Sequence, residues 1–281
     1  MTASRTAHCA DDLVSVIMPA FNAAATVGAS VRSALAQDHQ AVEVLVADDG
    51  SQDRTAEIVE RLAAVDNRVR LIRTAGRLGP ADARNAAIAA ASPGRWLAFL
   101  DSDDLWHPAK LSRQIALSRE SGAPLVYSAY WRISEDGTLC GAPTLVPSAI
   151  SYRQFLGNSA IATSTVLFDR ERFGAPRLDA SVGYDDYELW SRLLSEGGVA
   201  RGVADPLMAY RVRLGSVSRR RVSMSREVWR VLRDRRGLPL PEAAYRFGSY
   251  ALRAALKHRA GRPIHPSQAM LPAELLALLG Q

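Results

Sequence analysis

The chain has 281 residues, of which 48% are hydrophobic and 23% are charged, a composition typical of a globular protein with a packed core. Its two cysteines, Cys9 and Cys140, exclude a disulfide framework and lack the spacing of metal ligands, which predicts a reduced, cytoplasmic protein. The formal net charge of +6 is uneven, because residues 201–281 contain 16 Lys and Arg against 5 Asp and Glu. This basic third could meet nucleic acid, anionic lipid or a phosphorylated substrate, or it could be an ordinary solvated surface.

Strands and helices alternate over the first hundred residues, after a polar segment at 1–12 that we expect to be disordered. The longest uncharged run, 13–31, contains Pro19, Asn22 and Gly28, which favours a strand, a turn and a helix over a membrane span. Apolar runs predict strands at 13–18, 42–47, 69–73 and 95–100, and helical spacing predicts helices at 24–35, after Ser51, and at 80–91. Strands joined through helices imply right-handed crossovers in a mainly parallel sheet.

The second half changes character and ends in basic helices. Its predicted elements are strands at 125–133 and 164–168, a turn at 136–137, a helix at 187–195, an extended segment at 206–213, and amphipathic helices at 222–236 and 241–259. Glu188 and Arg192 are four residues apart, which favours an ion pair on the short helix. We therefore predict an α/β fold: a Rossmann-like, mainly parallel sheet flanked by helices, with a helical, basic C-terminal extension.

Polar residues collect where three of the predicted strands end. The first strand leads into Pro19-Ala20-Phe21-Asn22, the second into Asp48-Asp49-Gly50-Ser51, and the fourth into Asp101-Ser102-Asp103-Asp104. In open parallel sheets, ligands bind beyond the carboxyl ends of the strands. The three polar strand ends therefore predict a ligand crevice along one edge of the sheet.

The pair Asp48-Asp49 suits the base-and-sugar end of a nucleotide. No glycine-rich phosphate cradle lies beside it. Carboxylates repel phosphate but accept hydrogen bonds from a base N–H group or from ribose hydroxyls. The simpler alternative is that Asp49 or Ser51 caps the following helix.

The acidic turn at 101–104 is a candidate metal site. Asp101 and Asp103 lie two residues apart, so in an extended segment they face the same side and can approach one Mg²⁺ or Mn²⁺ ion. Such an ion would neutralise the charge of a departing diphosphate. Asp104 is expected to point away and to cap the helix at Pro108, and an acidic capping turn without any metal remains the alternative.

Two further groups could complete a reaction centre. Arg84 and Asn85 lie in a helix made mainly of alanine, where they could bridge to the crevice aspartates or form a structural pair. Asp185 and Asp186 begin the helix at 187–195. Carboxylates there complement the helix dipole, but one of them could also act as a general base toward a hydroxyl group.

These segments, taken together, resemble glycosyltransferase family 2, the inverting, nucleotide-sugar-dependent enzymes of the A-type fold. The resemblance covers roughly residues 13–218, and the Asp185-Asp186 pair takes the place of the family's usual Glu-Asp pair. The other stretches that carry it are 14–22, 44–51, Gly79 with 83–85, and 100–104. It divides the chain into a catalytic domain at 13–218, with a nucleotide-binding half at 13–110 and an acceptor half at 111–218, and the extension at 219–281.

The resemblance implies a role for each matching residue. Asp186 would be the catalytic base, and Asp101 and Asp103 would hold Mn²⁺ or Mg²⁺, with Asp103 the more direct ligand. The donor would be a UDP-, GDP- or dTDP-sugar, bound by Pro19, Ala20, Phe21, Asn22, Asp48, Asp49, Arg84, Asp101 and Ser102. The segment at 163–165 follows the family pattern on the acceptor side.

One departure from the family concerns the end of the catalytic domain. Some relatives have a metal-binding histidine near the position of Arg213, and arginine cannot bind a metal. We expect Arg211 and Arg213, or the arginine run at 219–221, to clamp the diphosphate instead.

The resemblance predicts transfer of a sugar from a nucleotide donor to a saccharide or lipid-linked saccharide in bacterial exopolysaccharide or lipopolysaccharide synthesis. Peripheral contact with the anionic inner face of the cytoplasmic membrane is consistent with the basic helices. One alternative is a non-catalytic nucleotide-sugar-binding or scaffold protein on the same fold. A nucleic-acid-binding protein is disfavoured because the basic third lacks interleaved aromatics and any recognised motif.

Overall fold

The computed structural model describes residues 12–137, 141–158, 160–212, 217–260 and 271–279. Its strands are β1 (Val14–Ala20), β2 (Val42–Asp48), β3 (Val69–Arg73), β4 (Trp96–Phe99), β5 (Leu105–Trp106), β6 (Leu125–Ile133), β7 (Ala149–Ser151), β8 (Leu167–Asp169) and β9 (Val199–Arg211). Its α-helices are α1 (Val27–Leu35), α2 (Thr55–Val65), α3 (Pro80–Ala90), α4 (Lys110–Ser121), α5 (Tyr152–Leu156), α6 (Arg170–Phe173), α7 (Asp185–Ser195), α8 (Val217–Arg230), α9 (Leu240–Ala260) and α10 (Ala273–Leu279). A 3₁₀ turn at Thr163–Thr165 and a π-helical turn at Val231–Arg235 complete the described elements.

The strands form one mixed sheet in the order β3-β2-β1-β4-β8-β6-β9-β5, with β7 paired to β9. This confirms the α/β class and the flanked sheet. The pairs among β3, β2, β1 and β4 are all parallel, so these four strands end at the same edge. Parallel pairing does not extend through the second half, where β4–β8, β6–β8, β5–β9 and β7–β9 are antiparallel and β6–β9 is parallel. Helices still separate these strands along the chain, but none of them joins two consecutive strands that pair with each other in the sheet.

Apolar residues alternate between the two faces of the sheet and so build two hydrophobic layers. In β1, Ile17 packs in the layer formed with α3, α5, α7, α8 and α9, while Val16 and Met18 pack in the layer formed with α1, α2 and α4. Both layers are mainly apolar, which explains why the strands read as nearly continuous hydrophobic runs. The sheet edge that carries the polar residues is therefore held rigidly from both sides.

The C-terminal helices pack on α7 and the elements around it instead of standing apart from the sheet. Val228, Val231, Leu232, Ala243 and Tyr250 belong to the same buried cluster as α7. Glu188 on α7, which is 4% exposed, also forms an ion pair with Arg236 at 2.9 Å and the predicted helical pair with Arg192 at 3.5 Å. This burial ties the region after residue 218 to α7.

Three local predictions were wrong, each for a hydrogen-bonding reason. Ser51 does not cap α2, which begins at Thr55, because its hydroxyl accepts the Asn22 N–H at 2.9 Å. Asp104 does not cap the helix near Pro108, because it is buried and accepts the Arg211 N–H at 3.0 Å. The predicted strand at 164–168 is instead the 3₁₀ turn followed by the short strand β8. The expected disordered segment at 1–12 lies outside the described residues except for Asp12, and so do residues 138–140 after the predicted turn.

Candidate active site at the carboxyl ends of the strands

The turns after β1 and β2 are locked to each other. Asn22 adopts a left-handed conformation with φ 48°, its N–H donates to Ser51 Oγ at 2.9 Å, and its Oδ1 accepts the Gln52 N–H at 2.9 Å. One residue later, the Ala23 N–H donates to Thr55 Oγ1 at 2.7 Å. The short Asn side chain is one of the few that tolerates this conformation while bonding locally. The 19–22 loop is therefore formed before any ligand arrives.

Asp49 organises the loop between β3 and α3. It is 4% exposed, and its carboxylate accepts the Leu78 N–H at 2.9 Å, the Gly79 N–H at 2.7 Å and the Thr74 hydroxyl at 3.0 Å. Asp49 therefore does not cap α2, because its carboxylate oxygens accept hydrogen bonds from residues 74–79 instead. The same loop places Arg77 over the ring of Phe21, 4.5 Å from its centroid, a contact that the sequence alone did not indicate.

Asp48 differs from Asp49 in having an unused acceptor. It is 4% exposed, and no donor among the described residues reaches its Oδ1. A buried carboxylate oxygen without a hydrogen bond costs about 1–3 kcal/mol or more. A ligand N–H or hydroxyl group that reached this oxygen would recover that cost.

The acidic turn after β4 is fixed by its backbone and by Arg211. The Asp101 N–H donates to Ser164 Oγ at 3.0 Å, and Arg211 donates from Nε to the carbonyl oxygen of Asp103 at 2.9 Å. Asp104 is 1% exposed; its burial and the nearby carboxylates of Asp103 and Asp101 raise its pKa well above the ordinary value. The turn therefore leaves Asp101 and Asp103 partly exposed while Asp104 anchors it to the end of β9.

Arg84 joins the acidic turn to the start of α7. Its side chain is 8% exposed and donates to Asp101 Oδ1 at 2.6 Å and to Asp185 Oδ2 at 3.1 Å. Burial opposes the charged guanidinium, but the carboxylates of Asp101 and Asp185 outweigh it and raise the pKa of Arg84. The bridging interpretation of Arg84 is therefore correct. Its neighbour Asn85 is structural: it exchanges hydrogen bonds with the backbone of Leu178, 2.9 Å in each direction.

Asp186 has the environment of a proton acceptor. Its Oδ1 accepts the N–H of Tyr187 at 2.7 Å, and its Oδ2 accepts the hydroxyl of Thr163. Burial and the adjacent Asp185 raise the pKa of Asp186 from 3.8 to about 6, against the opposing effects of Thr163 and Arg84. A carboxylate with this pKa is deprotonated at neutral pH yet basic enough to take a proton from a hydroxyl group.

Two consecutive residues connect both halves of the crevice. Thr163 donates to Asp186, and Ser164 accepts from the backbone of Asp101. Ser164 also accepts the Trp106 indole N–H through its carbonyl oxygen at 2.8 Å. The 163–164 dipeptide thus holds the acidic turn and the candidate base at a fixed separation.

A family comparison agrees with this arrangement. The sequence model described as "Glycosyl transferase family 2" matches residues 15–172, more than half of the chain. The chain belongs to glycosyl transferase family 2. The match covers the strand ends and the 163–164 dipeptide, whereas Asp185 and Asp186 lie beyond it.

Curated members of family 2 resemble this chain over most of its length. TuaG of Bacillus subtilis (strain 168), a putative teichuronic acid biosynthesis glycosyltransferase, is 33% identical over 87% of this chain and 97% of its own. WfaP of Escherichia coli, a UDP-Glc:alpha-D-GlcNAc-diphosphoundecaprenol beta-1,3-glucosyltransferase, is 38% identical over 74% of this chain and 80% of its own. WfgD, with the same described activity in Escherichia coli, is 35% identical over 84% of this chain and 91% of its own.

Solved structures with the same fold include two complexes with nucleotides or nucleotide sugars. TarS of S. aureus, in complex with UDP, superposes with a TM-score of 0.61 and 18% identity over 86% of this chain and 70% of that chain. PcManGT, a mannosyltransferase from Pyrobaculum calidifontis in complex with GDP-Man and Mn2+, gives a TM-score of 0.62 and 20% identity over 96% of this chain and 79% of that chain. At this level of identity the likeness establishes the A-type fold of the family 2 domain.

The structure bears differently on the predicted metal ligands and on the arginines predicted to hold the diphosphate in this family 2 protein. Among the described residues, no group of three or more His, Cys, Asp and Glu side chains is arranged to hold a metal ion. Asp101 and Asp103 do share the acidic turn, and two carboxylates offer the hard oxygen atoms that Mg²⁺ and Mn²⁺ prefer. Arg211 is 6% exposed and directed at backbone carbonyl oxygens, including that of Glu135 at 2.6 Å, while Arg213 lies outside the described residues.

Proposed function

We propose that this family 2 protein transfers one sugar, with inversion, from a nucleoside-diphosphate donor to a saccharide or lipid-linked saccharide in polysaccharide synthesis. The observation that carries the proposal is the Arg84 bridge, which brings the donor-side Asp101 and the base-side Asp185 onto one guanidinium. The described activities of WfaP and WfgD, which name UDP-Glc as the donor and a diphosphoundecaprenol-linked acceptor, support the same substrate classes.

The acceptor side of the reaction rests on Asp186. Its carboxylate takes the proton of the acceptor hydroxyl while that oxygen attacks the anomeric carbon, and the bond from this carbon to the diphosphate oxygen breaks. Attack and departure occur on opposite faces of the sugar, so the anomeric configuration inverts. Thr163 keeps the Asp186 carboxylate oriented, because its hydroxyl donates to Oδ2 and leaves the remaining lone pairs free.

The donor side rests on the edge formed by β1, β2 and β4. We assign the base and ribose to the crevice lined by Pro19, Ala20, Phe21, Asn22, Asp48 and Asp49, with Arg77 closing it against Phe21. Asp48 is the better direct partner, because its Oδ1 is buried and unpaired whereas Asp49 is saturated by its own loop. Ser102 lies between the two donor-side aspartates, where the sugar and diphosphate meet.

A divalent cation, Mn²⁺ or Mg²⁺, fits the acidic turn. Asp103 and Asp101 would hold it, and it would offset the negative charge that accumulates on the departing diphosphate. Arg84 supplies a fixed positive charge next to the same turn in the absence of any ion. Arg211 supports the turn by holding the Asp103 carbonyl, and Arg213 is the arginine that we assign to the diphosphate itself.

The Asp186→Asn variant tests the proposal. We expect unchanged affinity for UDP, measured by calorimetry with and without Mn²⁺, and a loss of transfer of about 10²–10⁴-fold or more. Asp205→Asn is the matched control, since Asp205 is an exposed carboxylate paired with Arg113 at 2.6 Å, and it should transfer normally. Wild-type transfer by Asp186→Asn would refute the base assignment. A wild-type protein that binds UDP-sugars but transfers none to any saccharide would favour the non-catalytic alternative.

A further inference from the structure

The outward face of α9 is uncharged over four turns. The residues exposed along it are Pro241, Ala244, Tyr245, Gly248, Ala251, Leu252 and Ala255. At 100° per residue they form one continuous face, which we call the outer α9 face. Tyr245 is 69% exposed and Leu252 is 62% exposed. Among the described residues, other exposed large apolar side chains, such as Val65 and Leu145, lie outside α9. On α9, several uncharged residues share one exposed face.

The opposite face of α9 supports the candidate base. Tyr250 is buried and meets the ring of Tyr187 edge-on, with centroids 6.0 Å apart, and Tyr187 donates its backbone N–H to Asp186. Ser249 donates to the Gly157 carbonyl oxygen at 3.2 Å. A helix with its side chains is about 10–12 Å across. The outer α9 face therefore lies on the far side of the same helix whose inner face contacts Tyr187, the residue next to Asp186.

Charge decides which occupant fits this face. Residues 201–281 carry 16 Lys and Arg against 5 Asp and Glu, and Arg253 is exposed beside Leu252. Arg246 lies against the Tyr245 ring, 5.5 Å from its centroid. Aromatic and arginine side chains that flank an apolar strip suit the boundary between lipid headgroups and acyl chains. A second copy of this chain would bring two strongly basic surfaces together, whereas an anionic bilayer complements them.

We propose that the outer α9 face docks on an anionic lipid bilayer and presents the active site to an acceptor carried in that bilayer. The inference rests on the proposed function for its acceptor, but the docking itself does not require catalysis. It is peripheral contact: within the described part of the chain, no helix is long and apolar enough to cross a membrane. The apolar strip enters the boundary layer, and the exposed Arg253 beside it pairs with a lipid phosphate, while Arg246 is held by Glu242 at 3.3 Å.

The test is cosedimentation of the full chain with vesicles of phosphatidylglycerol and phosphatidylcholine mixed one to two, and with vesicles of phosphatidylcholine alone. We expect binding to the mixed vesicles that weakens as salt is raised, and a loss of about tenfold or more in the double variant Tyr245→Ser, Leu252→Ser. Val65→Ser is the matched control, because Val65 is 83% exposed on α2, and it should bind as the wild type does. Unchanged UDP affinity in all three proteins shows that they are folded.

Kinetics separate docking from chemistry. With a lipid-linked acceptor in the mixed vesicles, the double variant should need about tenfold more acceptor to reach half-maximal rate, while a short-chain acceptor in solution should react normally. Vesicle binding without any transfer would leave docking standing and refute the proposed function. Transfer without vesicle binding, equal binding by the double variant, or a wild-type dimer that the double variant abolishes would each overturn the docking proposal.

Discussion

Replacing Asp186 by asparagine should make the protein more stable at neutral pH while removing its activity. The folded-state pKa of Asp186 is raised to about 6 from an ordinary value of 3.8, so the folded chain holds this proton more tightly than the unfolded chain does. Its contribution to stability is therefore complete below pH 3.8 and is lost as the pH rises through about 6. The physical cause is burial of a carboxylate beside a second carboxylate, Asp185.

The magnitude follows from the separation of the two pKa values. At 1.36 kcal/mol per pH unit, the displacement from 3.8 to about 6 corresponds to at most about 3 kcal/mol, reduced by whatever water reaches the partly buried carboxylate. Asparagine keeps an oxygen for the Tyr187 N–H and carries no charge. We expect Asp186→Asn to match the wild type near pH 4 and to exceed it by about 1–3 kcal/mol above pH 7.

The assay is urea unfolding of both proteins between pH 4 and pH 8, with the difference in unfolding free energy plotted against pH. Comparing the two proteins cancels the other groups that titrate in this range. The wild-type transfer rate should rise through pH 6 as Asp186 loses its proton and should level off above it. A difference that does not vary with pH, or one that grows as the pH falls, would refute the reasoning.

Three other substitutions test the supports of the site. Arg84→Gln should lower the free energy of unfolding by about 2–4 kcal/mol, measured with urea. It should also displace the acid limb of the pH–rate profile to higher pH, and an unchanged limb would contradict the Arg84 bridge. Glu188→Gln should lower the free energy of unfolding by about 2–3 kcal/mol, whereas Glu57→Gln, which removes an exposed ion pair, should lower it by under about 1 kcal/mol. Equal losses in the two variants would contradict the buried ion pair. Gly202→Ala should lower the free energy of unfolding by more than about 2 kcal/mol, because the added Cβ would lie 2.1 Å from the Pro147 carbonyl oxygen. Gly248→Ala, where space is open, should stabilise α9. An unchanged stability of Gly202→Ala would contradict the close packing.

The first half of the fold was predictable because its elements depend on local periodicity. β3 has the predicted bounds, and the helix predicted at 80–91 differs from α3 by one residue. The pairing of β4 with β8 was not predictable, because it joins segments about seventy residues apart through an antiparallel register. The segment at 164–168 reads as a strand from its β-branched residues. The hydroxyl groups of residues 163–165 bond instead to Asp186, to the Asp101 N–H and to the Ala162 carbonyl, and these bonds hold the start of the segment as a turn.

The site was predictable in its components and not in its connections. The sequence identified the acidic turn, Arg84 and the Asp185-Asp186 pair, since charges in apolar surroundings are conspicuous. The bridge from Arg84 spans 101 residues along the chain to Asp185, and only the folded structure shows which partner it takes. Arg77 was missed, although its position between a strand and a helix at the same sheet edge was the available signal. The donors to Asp49 could not be identified from the sequence because they are backbone N–H groups, which carry no residue-type signal.

The 163–164 dipeptide has a consequence for the exchange of segments between relatives. Adjacent residues are held 3.8 Å apart at their Cα atoms by covalent geometry, so the spacing between the leaving-group side and the base side does not depend on how the flanking loops are built. Loops around the acceptor pocket can then be grafted from one family member to another without resetting that distance, provided that the graft junctions leave Thr163 and Ser164 in place. Within this architecture, we expect acceptor preference to change through substitutions in the loops around the proposed acceptor pocket, with Thr163 and Ser164 kept.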